Sequence, residues 1–77
     1  MSVYMEQIGD SQDPYVVLEW FCDAGDLVTE GQVLCAVEVG KANVDVVAPA
    51  SGLLESIAVE ADQECLPGDL LCTIRSQ

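Results

Sequence analysis

Shifted by 37 residues, the sequence falls on itself: "GQVLCAVE" at 31–38 lies over "GDLLCTIR" at 68–75. Gly31 meets Gly68, Leu34 meets Leu71, Cys35 meets Cys72 and Val37 meets Ile74. Upstream, Ala24 meets Ala61 and Val28 meets Cys65. The chain therefore reads as two half-repeats, about 3–39 and 40–76, inside one small domain spanning residues 1–77. A half of that length cannot close a core alone. The two must pack on each other, most simply about a pseudo-two-fold axis.

Within each half the apolar period is two. In "VVLEW" Val16, Leu18 and Trp20 alternate with Val17 and Glu19. In "NVDVVA" Val44, Val46 and Ala48 alternate with Asn43, Asp45 and Val47, and Val33, Cys35 and Val37 match Leu70, Cys72 and Ile74 of the second copy. That is β structure with one face buried. Turn signals recur at short intervals, in "DAGD", "TEG", "VGKA", "PASG", "EADQE" and "LPGD". β-Branched residues are dense and no long stretch keeps a helical stripe. The expectation is an all-β domain of six to eight short antiparallel strands, in a small sandwich or flattened barrel.

One pairing can be set from sequence. Residues 33–39 and 42–48 flank Gly40-Lys41. As a hairpin they bring Val39 opposite Ala42, Val37 opposite Val44, Cys35 opposite Val46 and Val33 opposite Ala48, inward residue on inward residue. A slip of one would set Val37 against Asp45 and turn an apolar face to water. Gly in the first loop position suits a type II′ turn, which needs φ > 0 there. Lys41 is then expected at the hairpin tip, in solvent, on a stiff support. Most exposed turn lysines only stay hydrated. This one is the sole lysine of a chain with 14 acidic and two basic residues, a unique address for a lysine-modifying enzyme.

A net charge of −12 disfavours nucleic acid and anionic lipid and favours a partner with a basic patch, although acids also keep a small apolar domain soluble. No apolar stretch is long enough to span a bilayer, and the start shows no basic segment leading an apolar block. A reducing interior is expected. Cys22, Cys35, Cys65 and Cys72 then read as buried, unpaired thiols. With no C-x-x-C spacing and no histidine, a metal site is not expected. No nucleophile–base set is present and the core is too small for a pocket, so no catalytic residue is expected.

The sequence resembles the lipoyl domains of 2-oxo acid dehydrogenase complexes, within the biotinyl/lipoyl attachment superfamily. The resemblance rests on "EW" at 19–20, "GDLVTEGQVL" at 25–34, "EVGKA" at 38–42, "PASG" at 49–52 and "PGDLL" at 67–71, in family order and at family spacing. It implies a flattened barrel of two four-stranded antiparallel sheets with an internal pseudo-two-fold. It implies that Lys41 carries lipoate in amide linkage, with Glu38, Gly40 and Ala42 as recognition flanks. Gly40 stands where the family usually has aspartate, and "ADQEC" at 61–65 stands where it has G-D-x-V. The resemblance further implies a non-catalytic swinging-arm carrier of acyl groups and reducing equivalents. Its partners would be a lipoate ligase or lipoyl transferase, a thiamine-dependent 2-oxo acid decarboxylase, an acyltransferase and dihydrolipoyl dehydrogenase. Its setting would be the bacterial cytoplasm or the mitochondrial matrix.

Two other readings stay open. Biotinyl domains share the fold and use a hairpin-tip lysine, usually set between two methionines; here the neighbours are Gly40 and Ala42. An unmodified barrel-sandwich module used for assembly is the other, though such modules often lack the tip lysine.

Overall fold

The computed structural model describes residues 1–9 and 14–76; Gln77, inside the expected domain, lies outside them. Eight strands follow in order: β1 (Ser2–Tyr4), β2 (Tyr15–Trp20), β3 (Leu27–Val28), β4 (Val33–Val39), β5 (Ala42–Val47), β6 (Gly52–Ile57), β7 (Glu64–Cys65) and β8 (Leu70–Arg75). They form two four-stranded antiparallel sheets. Sheet I has the order β1-β8-β6-β3 and sheet II the order β5-β4-β2-β7.

The sequence repeat reappears as a repeat of register. In sheet II Val16 pairs Glu38, Val17 pairs Val37, Glu19 pairs Ala36 and Trp20 pairs Cys35. Adding 37 to each number gives the β6–β8 pairs of sheet I: Leu53 with Arg75, Leu54 with Ile74, Ser56 with Thr73 and Ile57 with Cys72. The turns repeat too. Asp23 N donates to Asp26 Oδ2 at 2.8 Å, and Glu60 N donates to Gln63 Oε1 at 2.8 Å. Thr29 N donates to Gln32 Oε1 at 3.0 Å, and Leu66 N donates to Asp69 Oδ2 at 2.8 Å. Asp26 and Gln63, and likewise Gln32 and Asp69, stand in equivalent capping roles because each offers a side-chain oxygen at the right reach. A side-chain acceptor three residues on closes each turn, which identity of residue type does not require.

Each half also carries two bulges. In sheet II Leu18 is the extra residue of β2, and in sheet I Glu55 is the extra residue of β6. Leu34 is skipped between β4 and β5, and Leu71 between β8 and β1. A bulge sets two residues against one and shifts the inward phase by one. This corrects three expectations. In β2 the buried residues are Tyr15 and Val17 rather than Val16 and Leu18; Trp20 faces in only because it lies beyond the bulge. In β4 and β8 consecutive residues are buried, Leu34 with Cys35 and Leu71 with Cys72, while Val33 is half-buried and Leu70 exposed. Val33 accordingly pairs Val47 instead of Ala48, whose amide donates to the Gln32 carbonyl at 2.8 Å.

The core divides into two clusters, one around Leu34, Leu54, Cys72 and Ile74, the other around Tyr15, Val17, Cys35, Val37 and Leu71. Trp20 and Val46 touch both and join them. The Trp20 indole N–H reaches the Val59 carbonyl at 2.8 Å, which satisfies its one donor at the edge of the core. All four cysteines are buried and unpaired. Gly52 begins β6 where β8 runs closest: a Cβ there would fall on the Arg75 carbonyl oxygen and 2.9 Å from Ile74 Cγ2.

Candidate functional site

The β4–β5 hairpin has the register that the apolar pattern demanded, with Val39 opposite Ala42, Glu38 opposite Asn43 and Val37 opposite Val44. Gly40 and Lys41 are its two loop residues. Gly40 has φ of 60°, and Lys41 is not among the positive-φ residues, the pattern of a type II′ turn. Lys41 is exposed. Among the described residues the one salt bridge joins Arg75 Nη2 to Glu55 Oε2 at 3.0 Å. Of the chain's two cations, one is thus held across sheet I and the other projects from a turn.

The support beneath the lysine is stiff. Val37 and Val39 are buried, and β4 is an inner strand bonded on both sides. Glu38 points out between them and is exposed. Ala42 is exposed as well, although its partner Val39 is buried: the hairpin tip overhangs the core, so facing inward there does not bring burial.

A shallow concavity at the root of the tip is lined by Pro14, Val16, Glu38, Gly40 and Lys41. Pro14 just precedes β2 and Val16 lies at its start, a segment which the lysine-centred sequence argument did not single out. Their placement has a cause. Ten positions, 5–14, connect β1 to β2, whereas four, 48–51, make the equivalent link from β5 to β6. The described part of the longer connection is pinned by Tyr15, whose phenolic oxygen accepts from Ile8 N at 2.9 Å and from Gln7 Nε2 at 3.5 Å. Met5 is buried and Ile8 packs against the same cluster. The unequal link was readable as a six-residue excess once the halves were aligned on their pairing.

The site's chemistry lies in one primary amine. The four thiols are withdrawn from it. Burial pushes the Cys35 thiol up to about 12, with the other cysteines and Asp45 adding to the effect. Burial pushes Cys72 up to about 11, with a contribution from Cys22. Cys22 and Cys65 are also raised, by burial and then by nearby aspartates. A thiol that stays protonated and inaccessible is a poor nucleophile. Among the described residues no group of three His, Cys, Asp or Glu is arranged to hold a metal ion, and no helix is long and apolar enough to cross a membrane.

Comparison with known proteins agrees with this geometry. The chain is 40% identical over 60 residues to the dihydrolipoyllysine-residue acetyltransferase component of the pyruvate dehydrogenase complex of Azotobacter vinelandii, covering 78% of this chain and 9% of that protein. It is 31% identical over 70 residues to the component of the same name from Staphylococcus aureus, covering 91% of this chain and 16% of that protein. The chain thus spans a small fraction of the length of the curated relatives it matches. In fold it superposes on the lipoyl domain of the 2-oxoglutarate dehydrogenase complex from Azotobacter vinelandii with a TM-score of 0.82, at 21% identity, over 97% of this chain and 95% of that one. The family model Biotin_lipoyl, described as "Biotin-requiring enzyme", matches residues 2–74. A lone exposed lysine on a rigid hairpin of two four-stranded sheets, with that match along nearly its whole length, places the chain in the biotin/lipoyl attachment family.

Proposed function

We propose that residues 1–77 act as one lipoyl carrier domain, built of halves 3–39 and 40–76, with Lys41 as the attachment lysine. The observation that carries this is the single ε-amine, exposed at a type II′ turn with no ion-pair partner among the described residues. An amide at Nζ removes one positive charge, taking the formal net charge from −12 to −13. Nothing in the fold opposes this, because the tip overhangs the core and no buried group depends on that cation. When bound, the lipoyl group supplies a dithiolane that takes up acyl groups and electrons.

The chain's own part is mechanical and electrostatic. β4 and β5 hold the anchor point still while the tether moves, and tethering raises the arm's effective concentration at each partner's active site. The buried thiols leave the dithiolane without a competing nucleophile in its own domain. Glu38, Gly40 and Ala42 surround the amine and are proposed as the features a lipoate ligase or lipoyl transferase reads. Gly40 would act there through its turn geometry, since it offers no carboxylate. The partners are proposed to be a thiamine-dependent 2-oxo acid decarboxylase, an acyltransferase and dihydrolipoyl dehydrogenase, in a bacterial cytoplasm or mitochondrial matrix. The domain performs no catalysis itself. Relatives named as acetyltransferase components of pyruvate dehydrogenase complexes, together with Gly40 and Ala42 where biotinyl domains usually have methionines, favour lipoate over biotin.

Co-expression with a lipoate ligase and free lipoate, followed by intact mass, tests the assignment. The wild type should gain one lipoyl group and Lys41→Arg none. A wild-type chain that stays unmodified while folded would remove the carrier reading. A biotin adduct from a biotin ligase under the same conditions would replace it with the biotinyl one.

A further inference from the structure

The two sheets share a backbone plan, so each solvent-facing position of one has a counterpart in the other. Outside sheet II, one rung across the strands reads Glu38, Val16, Glu64, and the next reads Asp45, Ala36, Glu19. Their counterparts outside sheet I are Arg75, Leu53, Leu27 and Ser2, Thr73, Ser56. Four carboxylates on one face therefore correspond to an arginine, a leucine and two serines on the other. The only acid among the outward strand residues of sheet I, Glu55 at the bulge, is neutralised by its bond to Arg75. Glu19, Glu38, Asp45 and Glu64 are all exposed, and none has a cationic partner among the described residues.

A need for solubility alone spreads acids over both faces. Here they surround half-buried Val16 and Ala36, an apolar centre with a charged rim, as protein-binding faces are arranged. The same sheet carries Lys41 at the end of its β4–β5 hairpin.

The geometry points to the outer face of sheet II as the docking surface for a protein whose active-site entrance is rimmed by Lys and Arg, with the face of sheet I turned away. This rests on the carrier reading and adds a direction to it. The acidic face leads and orients the encounter, so that Lys41 arrives at the entrance instead of the opposite side of the barrel.

The test compares two fourfold variants of equal charge. One is Glu19→Gln/Glu38→Gln/Asp45→Asn/Glu64→Gln. The other, placed in the connections between strands, is Glu6→Gln/Asp23→Asn/Glu30→Gln/Glu60→Gln. Both carry −8 in place of −12. The probe is the purified thiamine-dependent decarboxylase of the Azotobacter vinelandii pyruvate dehydrogenase complex. Intact mass first establishes lipoylation, which tests the carrier reading by itself, and thermal melts establish folding. For reductive acylation of the lipoylated chain at low ionic strength, the sheet II variant should lose about tenfold or more in kcat/KM and the control less than about twofold. Added salt should remove the difference. Addition of the decarboxylase to the unlipoylated, isotope-labelled wild type should broaden amide signals of β2, β4 and β5 before those of β6 and β8. Equal losses in the two variants, or none in either, would overturn the inference, because a long-range field or plain solvation would then account for the acids. Broadening led by sheet I would overturn it as well.

Discussion

At the scale of single residues, the repeat shows where chemistry was free to vary and where backbone was not. Gly25 and Asp62 are counterparts, and both have positive φ, 100° and 71°. Asp62 is the only non-glycine residue in that region among the described residues, and aspartate tolerates it better than most. Asp62→Gly should therefore fold at least as well as the wild type, within about 0.5 kcal/mol, whereas Gly31→Ala, at φ of 87° in open space, should cost about 1 kcal/mol. Urea midpoints of the two variants would measure this, and a larger loss for Asp62→Gly would contradict it. The thiols make a second prediction. Cys35 and Cys72 titrate near 12 and 11 in the fold, against about 8.5 in an unfolded chain. The folded state keeps its protons where the unfolded state has lost them, so stability is intact below about pH 8.5. It then falls as pH rises toward the folded values, by up to about 1.4 kcal/mol per pH unit for each thiol. Denaturation followed from pH 8 to 11 should show that decline, and Cys35→Ala should flatten it.

At the scale of elements, a comparison of the hairpin and β2 shows what sequence could and could not reveal. The β4–β5 hairpin was legible because its two strands must agree in phase across a two-residue loop, and glycine marked the turn. The location of Lys41 followed from that constraint alone. The phase of β2 was not legible. Its bulge residue is Leu18 and the counterpart in β6 is Glu55; the two share no side-chain property, because an unpaired residue is required by the backbone and not by chemistry. Alternation read straight through such a strand is right on one side of the bulge only. Gly52 is the reverse case, a residue whose necessity appears only in three dimensions. Gly52→Ala drives a methyl into the Arg75 carbonyl and the Ile74 side chain, so β6 must separate from β8. Overpacking of this kind costs about 1–3 kcal/mol. For a chain of this size that lowers Tm by roughly 4–8 °C per kcal/mol. An unchanged Tm would mean that the two strands can part without loss, contrary to the tight register.

At the scale of the whole molecule, shape and charge oppose each other. The barrel measures 37 × 20 × 17 Å, a small body for a chain with 14 acidic and two basic residues. Most pairs of like charges on one face lie within the Debye length of dilute buffer, about 30 Å at 0.01 M salt, and few do at 1 M, where it is about 3 Å. Folding brings these charges closer than the unfolded chain holds them, so self-repulsion works against the native state. Salt should then raise Tm, chiefly between about 0.01 and 0.2 M, where screening changes most. A general salting effect on apolar burial would instead grow steadily at higher concentration. The fourfold variants separate the two causes: at −8 each should melt higher than the wild type in dilute buffer and respond less to salt. Lipoylation moves the charge only one unit the other way, so holo and apo forms should melt within about a degree of each other. A fold with a repulsive surface and a thin core gains its rigidity from the repeat itself. Each half closes the other's clusters through Trp20 and Val46, and the mount beneath Lys41 stays still because both halves hold it. If Trp20→Phe, which keeps bulk but loses the 2.8 Å bond to Val59, left Tm and the β4–β5 amide exchange rates unchanged, that link between halves would not be what keeps the hairpin rigid. The expected result is a loss of about 1–2 kcal/mol with faster exchange at Val37 and Val39.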